Sequence, residues 1–153
     1  MRILLPLFCL AFLLYGCGTT VAVNAGPQPI ALIGPDKAAV ELIVEVADAE
    51  DEWTKGLSGR DEALASNAGM LFVFPEAQVR SFWMRDTHFP LDILFFDSLG
   101  KVIRIMTMQP CEADPCSTYS SEKLSPLALE VPAGFAESHG IAEGWQLALP
   151  SEN

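Results

Sequence analysis

Apolar and polar positions alternate most clearly over Val40–Val46, where Val40, Leu42, Val44 and Val46 are separated by Glu41, Ile43 and Glu45. That period of two, with acids on one face, predicts a half-exposed β-strand. Further along, short apolar runs bounded by Gly and Pro predict more strands. Met70–Phe74 is one, ended by Pro75, and Val79–Arg85 is the next. Leu91–Phe96 and Lys101–Met108 form a hairpin across the Ser98-Leu99-Gly100 turn, and Leu127–Val131 and Trp145–Leu149 complete the set. Two short helices fit between them. One covers Ala49–Leu57, capped by Asp48 and closed by Gly56 and Gly59; the other lies between Pro132 in its first turn and Gly140 just past its end. Many short strands with Gly/Pro turns point to a mainly β fold, a single β-sandwich or barrel-like domain with two short helices, rather than to a parallel α/β sheet.

The N-terminal pattern is different. Ile3–Leu14 is an apolar run broken only by Pro6, with Arg2 the sole basic residue before Lys37. The run is too short to span a bilayer, which takes roughly 20 residues, and fits the apolar region of an export signal. Leu14-Tyr15-Gly16-Cys17 follows it and resembles a bacterial lipobox. The resulting division is a signal peptide over 1–16, a lipidated Cys17 with a flexible tether over 17–37, and a folded domain over 38–150. Within the tether, Ile30–Ile33 is a candidate short edge strand. The chain would then be held on an envelope membrane facing the periplasm. The alternatives are cleavage near Ala25, giving a soluble periplasmic form, and retention of the segment as an uncleaved anchor.

Charge narrows the partners. The formal net charge of −11 disfavours nucleic acid, whose binding relies on Lys and Arg at phosphates. It also disfavours attachment to anionic lipid by a basic patch, so the lipid would provide the membrane contact. Cys111 and Cys116, in CEADPC, are expected to form a disulfide in an oxidising compartment. A redox pair or half of a metal site is the alternative use, but neither the Cys-x-x-Cys spacing nor two further ligands accompany them.

The ordered motifs Gly56-Leu57-Ser58-Gly59-Arg60, Asn67–Phe74, Ser81-Phe82-Trp83-Met84-Arg85-Asp86-Thr87, Pro90-Leu91-Asp92-Ile93, Gly100-Lys101-Val102, Leu129-Glu130-Val131, Ala133-Gly134-Phe135 and His139-Gly140-Ile141, with Cys111, Cys116 and Tyr119, resemble the domain of unknown function 192 family over about Val40–Leu149. Ser58 and Trp145 depart from its usual pattern. The resemblance implies a compact β-sandwich of jelly-roll type and no reaction.

Seven of the fourteen aromatics fall within Gly69–Asp97, and the sharpest cluster of polar residues lies there. Trp83 and Arg85 share one strand face, and with Asp86, Asp92, Arg60 and Asn67 they form a candidate ligand-binding set for a small molecule, a glycan or a protein. A planar guanidinium beside an indole suits a carboxylate, a sugar or an aromatic group. The plainer reading is an Arg85–Asp92 ion pair that pins the turn, with Trp83 in the core and Asn67 stabilising its own turn. An enzyme would use Asp92 or Asp86 with His88 as acid and base. A copper-binding protein would use Met106, Met108, Met84 and His88, since soft ligands select Cu(I); ordinary core methionine is the alternative. His139 is expected to help end its helix. No Gly-rich phosphate loop or nucleophile elbow is present, and no cofactor is implied.

Overall fold

The computed structural model describes residues 26–150. Cys17, the export signal and the first part of the proposed tether lie outside the described residues. Seven strands and two helices follow in the order β1 (Gln28–Ile33), β2 (Ala39–Ala47), α1 (Glu50–Lys55), β3 (Ala68–Trp83), β4 (Leu91–Phe96), β5 (Val102–Met108), β6 (Thr118–Pro132), α2 (Phe135–Ser138) and β7 (Gln146–Ala148). They form one sheet in the order β5-β4-β6-β3-β2-β1-β7. Among the described residues, only β2 and β3 pair in parallel.

The two ends of this sheet meet. Lys101 bridges to Gln146, Val102 N donates to Trp145 O at 2.8 Å and Leu147 N to Gly100 O at 2.8 Å. The sheet therefore curls into a barrel, which protects its end strands from pairing with other chains. Alternation along the strands separates two cores. Leu32, Val44, Leu71, Leu94, Leu129 and Val131 fill the interior, and Phe135 and Ala136 of α2 plug one end. Phe72, Phe74, Phe95, Met84, Met108 and Ala128 form a second core on the outer face.

The longest strands cover that second core. Between Val73 and Gln78 the β3–β6 register slips, from Val73↔Leu127 to Gln78↔Ser125. Pro75 and Pro126 both stand in the slip, where neither owes a ladder hydrogen bond. Pro75 was expected to end its strand. Instead β3 bends there and continues. Phe82 lies ten residues beyond Phe72, a separation of ~34 Å in a straight strand. Yet their rings are 5.0 Å apart, and Phe82 is 5.7 Å from Phe95. The ribbon formed by the far ends of β3 and β6 thus folds back over the barrel wall as a second layer. Buried Ser125 secures the fold-back, its Oγ accepting from Phe96 N at 3.2 Å and lying 2.7 Å from Phe96 O and from Leu127 O. These contacts satisfy backbone groups that the slip leaves unpaired.

Several boundaries differ from the sequence reading, each for a physical reason. Residues 28–33, placed in the tether, form β1, which sits between β2 and β7 rather than at an edge and buries Ile30 and Leu32. The folded unit thus includes residues ahead of Ala38. The strand expected from Leu127 starts already at Thr118, because Tyr119 and Ser121 face the core, while Ser120 and Glu122–Leu124 hide the pattern. Asp48 does not cap α1. Ala49 is its N-cap, and the Glu52 carboxylate accepts from Asp48 N at 2.9 Å and Ala49 N at 3.1 Å, the acidic half of a capping box. Gly56 closes the helix as expected. Pro132 ends β6 rather than opening a helix, and α2 starts only after Gly134, at φ +80°.

Candidate functional site

Alternation along the ribbon places Phe82 and Met84 inward and Trp83 outward, with Arg85 just beyond the strand end. Trp83 keeps 48 % of its surface exposed, and the Arg85 guanidinium lies over its ring at 5.0 Å. Arg85 Nη2 reaches Asp114 Oδ1 at 2.6 Å. An exposed ion pair of this kind adds little stability; its effect is to orient the guanidinium. Asp114 stands in a loop closed by the Cys111–Cys116 disulfide. The turn beneath is held from the other side, where Ser58 Oγ donates to Arg85 O at 2.8 Å and Gly59 N to Asp86 O at 2.7 Å. Asp86 takes φ +54° to make that turn, a conformation that Asp tolerates better than most residues. Arg85, Asp86, Glu112, Asp114 and the disulfide line a concavity of about 350 Å3. A second, of about 310 Å3, lies against the same loop and is lined by Met84, Gln109, Ser117 and Tyr119.

Removing the disulfide should therefore loosen the site as well as the fold. Cys111→Ser with Cys116→Ser is expected to cost about 2 kcal/mol by loop-closure entropy and to free Asp114 from Arg85. Denaturant unfolding and the NMR linewidth of the Arg85 guanidinium check the two effects.

The other residues of the candidate set lie elsewhere. Asp92 is 2 % exposed. It faces the barrel interior with Leu94 and Phe96, the opposite side of the wall from the ribbon. Its Oδ1 accepts from Thr107 Oγ1 at 2.7 Å and its Oδ2 from Ala136 N at 3.0 Å. It therefore joins β4 and β5 to the plug helix α2. The expected Arg85–Asp92 ion pair does not form, because Asp92 is buried on the interior side of the wall and Arg85 pairs with Asp114 at the exposed end of the ribbon. His88 is exposed and makes no hydrogen bond or ion pair among the described residues, so the Asp92–His88 acid–base pair is not assembled. Arg60 grips Glu45 with two hydrogen bonds, at 2.7 and 2.6 Å. That contact raises the Arg60 pKa and lowers the Glu45 pKa, with hydrogen bonding the largest cause in both. Arg60 thus ties its loop to β2, away from Trp83. Asn67 accepts from Ile43 N through its backbone carbonyl, at 2.9 Å. It lines a separate concavity of about 360 Å3 with Pro29, Ile43 and Leu149.

Met84 and Met108 are fully buried in the outer core, and Met106 Sδ accepts from Arg104 Nε at 3.2 Å. These thioethers are packed or engaged, and His88 points to solvent. Among the described residues, one group of His, Cys, Asp or Glu has metal-ligand spacing, Cys111, Asp114 and Cys116, but its sulfurs are bonded to each other. His139 ends α2, with Nδ1 2.9 Å from Phe135 O.

One residue was overlooked. Glu130 is 4 % exposed, sits on the outer-core face between Met70 and Ile93 on the flanking strands, and makes no side-chain hydrogen bond or ion pair among the described residues. Burial alone pushes its carboxyl up to about 8. The signal was a lone acid in the run Ala128-Leu129-Glu130-Val131, which period-two alternation places on the same face as core residue Ala128.

Residues 32–149 match the DUF192 family, described as an uncharacterized ACR. No curated protein matches the chain. Among solved structures, the chain is similar to a "putative transcription regulator" from Sinorhizobium meliloti 1021, with 29 % identity, a TM-score of 0.76, and coverage of 83 % of this chain and 96 % of that one. It is also similar to a protein of unknown function from Novosphingobium aromaticivorans DSM 12444, with 28 % identity, a TM-score of 0.70, and coverage of 82 % and 88 %.

Proposed function

We propose, from the premise that the chain belongs to the uncharacterised DUF192 family, that it is an exported binding module anchored by lipid on Cys17, with its ligand held at the Trp83–Arg85 surface. The observation that carries this reading is an indole left half in solvent, with a guanidinium fixed over it by a disulfide-closed loop. Trp and Arg are the residues most enriched at binding hot spots, and a rigid pair loses little conformational entropy when it engages a partner. Export agrees with the disulfide, which persists in oxidising compartments, and with the lipobox-like Leu14–Cys17 segment. From Cys17 to Gln28 an extended chain reaches at most about 40 Å, so the domain would work close to its membrane. The name of the Sinorhizobium relative raises nucleic acid as a second ligand class, but a net charge of −11 argues against phosphate binding.

The test compares the full chain with Trp83→Ala and Arg85→Ala for retention of components from an envelope extract. Each substitution is expected to weaken retention at least about tenfold, the effect of losing a modest hot spot, while the melting temperature stays within about 2 °C, as for surface changes. Unchanged retention in both variants would remove the reading. Labelling with radioactive palmitate, lost in Cys17→Ser, tests the anchor.

A further inference from the structure

The ribbon that carries Trp83 has a second property, which concerns charge. Its outer face consists of Val79, Ser81 and Trp83 on β3, and Thr118, Ser120 and Leu124 on β6. Val79 pairs with Leu124, Ser81 with Ser120 and Trp83 with Thr118. Among the described residues no layer covers this face: Val79 is 54 %, Trp83 48 % and Leu124 62 % exposed. In a chain with 20 acids and 9 Lys or Arg, all six of these residues are uncharged.

The ribbon does contain charged residues, but each is drawn away from that face. Arg80 turns under it, over the Phe74 ring at 3.9 Å, and donates to Ser125 O at 3.3 Å and to Glu76 O. Glu122, at φ +56°, forms a bulge that carries it sideways to pair with Arg104. Lys123 Nζ reaches Ile103 O on β5 at 3.3 Å. Ser121 Oγ fixes the bulge, accepting from Arg80 N at 2.9 Å and donating to Lys123 O at 2.6 Å.

Building on the Trp83 reading, we propose that this ribbon face binds a linear neutral oligosaccharide, with Trp83 as the stacking platform and Arg85, Asp86 and the disulfide loop receiving one end of the sugar chain. The face and a sugar chain are chemically complementary. The face alternates apolar and hydroxyl groups: a Val79–Leu124 pair at one end, Ser81 and Ser120 in the middle, Trp83 and Thr118 at the other end. A protein interface would be expected to show a continuous apolar centre, whereas here hydroxyls separate the aliphatic pair from the indole. A sugar chain also alternates C–H faces with hydroxyls and carries no charge to be opposed. Indoles suit ligands that are apolar on one side and wet on the other. At the Trp83 end, the carboxylates of Asp86, Glu112 and Asp114 and the Arg85 guanidinium line the 350 Å3 concavity, where they offer charge-assisted hydrogen bonds to hydroxyl groups.

The test titrates the full chain, in detergent, with soluble neutral oligosaccharides built from hexose or N-acetylhexosamine units, read by tryptophan fluorescence and calorimetry. Trp53 and Trp145 are more enclosed, so an exposed-indole response reports on Trp83. Binding is expected for at least one neutral series, weakened at least about tenfold by Trp83→Ala and by Leu124→Glu, and unaffected by Ile43→Glu on the opposite concavity. Saccharide binding that survives Trp83→Ala would overturn the placement. A dimer in light scattering that Leu124→Glu splits would assign the face to a second copy and overturn the saccharide proposal. No saccharide binding at millimolar concentration, with extract retention still lost in Arg85→Ala, would overturn the saccharide class and leave the Trp83–Arg85 reading standing. Loss of neither would remove both.

Discussion

Asp92→Ala is expected to lower stability by about 4 kcal/mol, the cost of two buried hydrogen bonds to one side chain and of leaving their donors unpaired. For a domain of this size that corresponds to a fall of roughly 15 °C in melting temperature. Thr107 Oγ1 and Ala136 N would both lose their acceptor, and the second is the more damaging. A hydroxyl can rotate to another partner, whereas the first-turn N–H of a four-residue helix inside the barrel mouth has nowhere to turn. Asp92→Asn should cost much less, about 1–2 kcal/mol, because an amide oxygen can accept from Ala136 N while its NH2 donates to Thr107. Thermal and denaturant unfolding measure both. If Asp92 were instead poised for catalysis, Asp92→Ala would leave stability nearly unchanged or raise it.

Glu130 gives the second large effect, with its sign set by linkage. Its carboxyl titrates near 8 in the folded protein against an ordinary value of 4.5, because burial penalises the charged form. Below about 4.5 both folded and unfolded chains hold the proton and Glu130 makes no difference. Between about 4.5 and 8 the unfolded chain has lost the proton and the folded chain keeps it, so stability falls as pH rises, by about 1.4 kcal/mol per pH unit. Above about 8 both states are ionised and the loss levels off at roughly 4–5 kcal/mol. Glu130→Gln removes this slope. The difference in unfolding free energy between wild type and Glu130→Gln, measured from pH 5 to 9, should move steadily in favour of the variant and then flatten. Taking the difference cancels the other titrating groups, including Glu45, whose lowered pKa acts in the opposite direction. A flat difference would mean that Glu130 finds a charge partner or water in the folded chain.

These two carboxylates show where sequence reading succeeded and where it stopped. Local periodicity revealed β2, the β4–β5 hairpin and the placing of Trp83 on the face opposite Phe82 and Met84, because period-two alternation and Gly/Pro turns are written in neighbouring residues; which of the two faces is outward was not. The ordered motifs revealed the family. Position in the barrel was not legible. Asp92 and Arg85 are close in sequence and charged, yet the wall of the sheet separates them. The partner of Arg85 is Asp114, 29 residues away, brought back by the disulfide loop. Pro75 looked like a stop, because the slip that accommodates it depends on Pro126 in a strand far along the chain. β1 has a proline and little alternation, and it is a strand because β2 and β7 flank it. Glu130 was visible as an acid in an apolar run, but its isolation depends on two neighbouring strands that sequence alone does not assemble.

On the proposed reading, ligand binding belongs to the exposed ribbon and the buried carboxylates belong to the scaffold. The most direct test is an amide chemical-shift map of the isotope-labelled chain as it is titrated with an oligosaccharide or an extract fraction that it retains. The largest shifts are expected on residues 79–86, 111–120 and 124. Shifts concentrated instead around Asp92, Thr107 and Ala136, or around Pro29, Ile43 and Leu149, would contradict that reading.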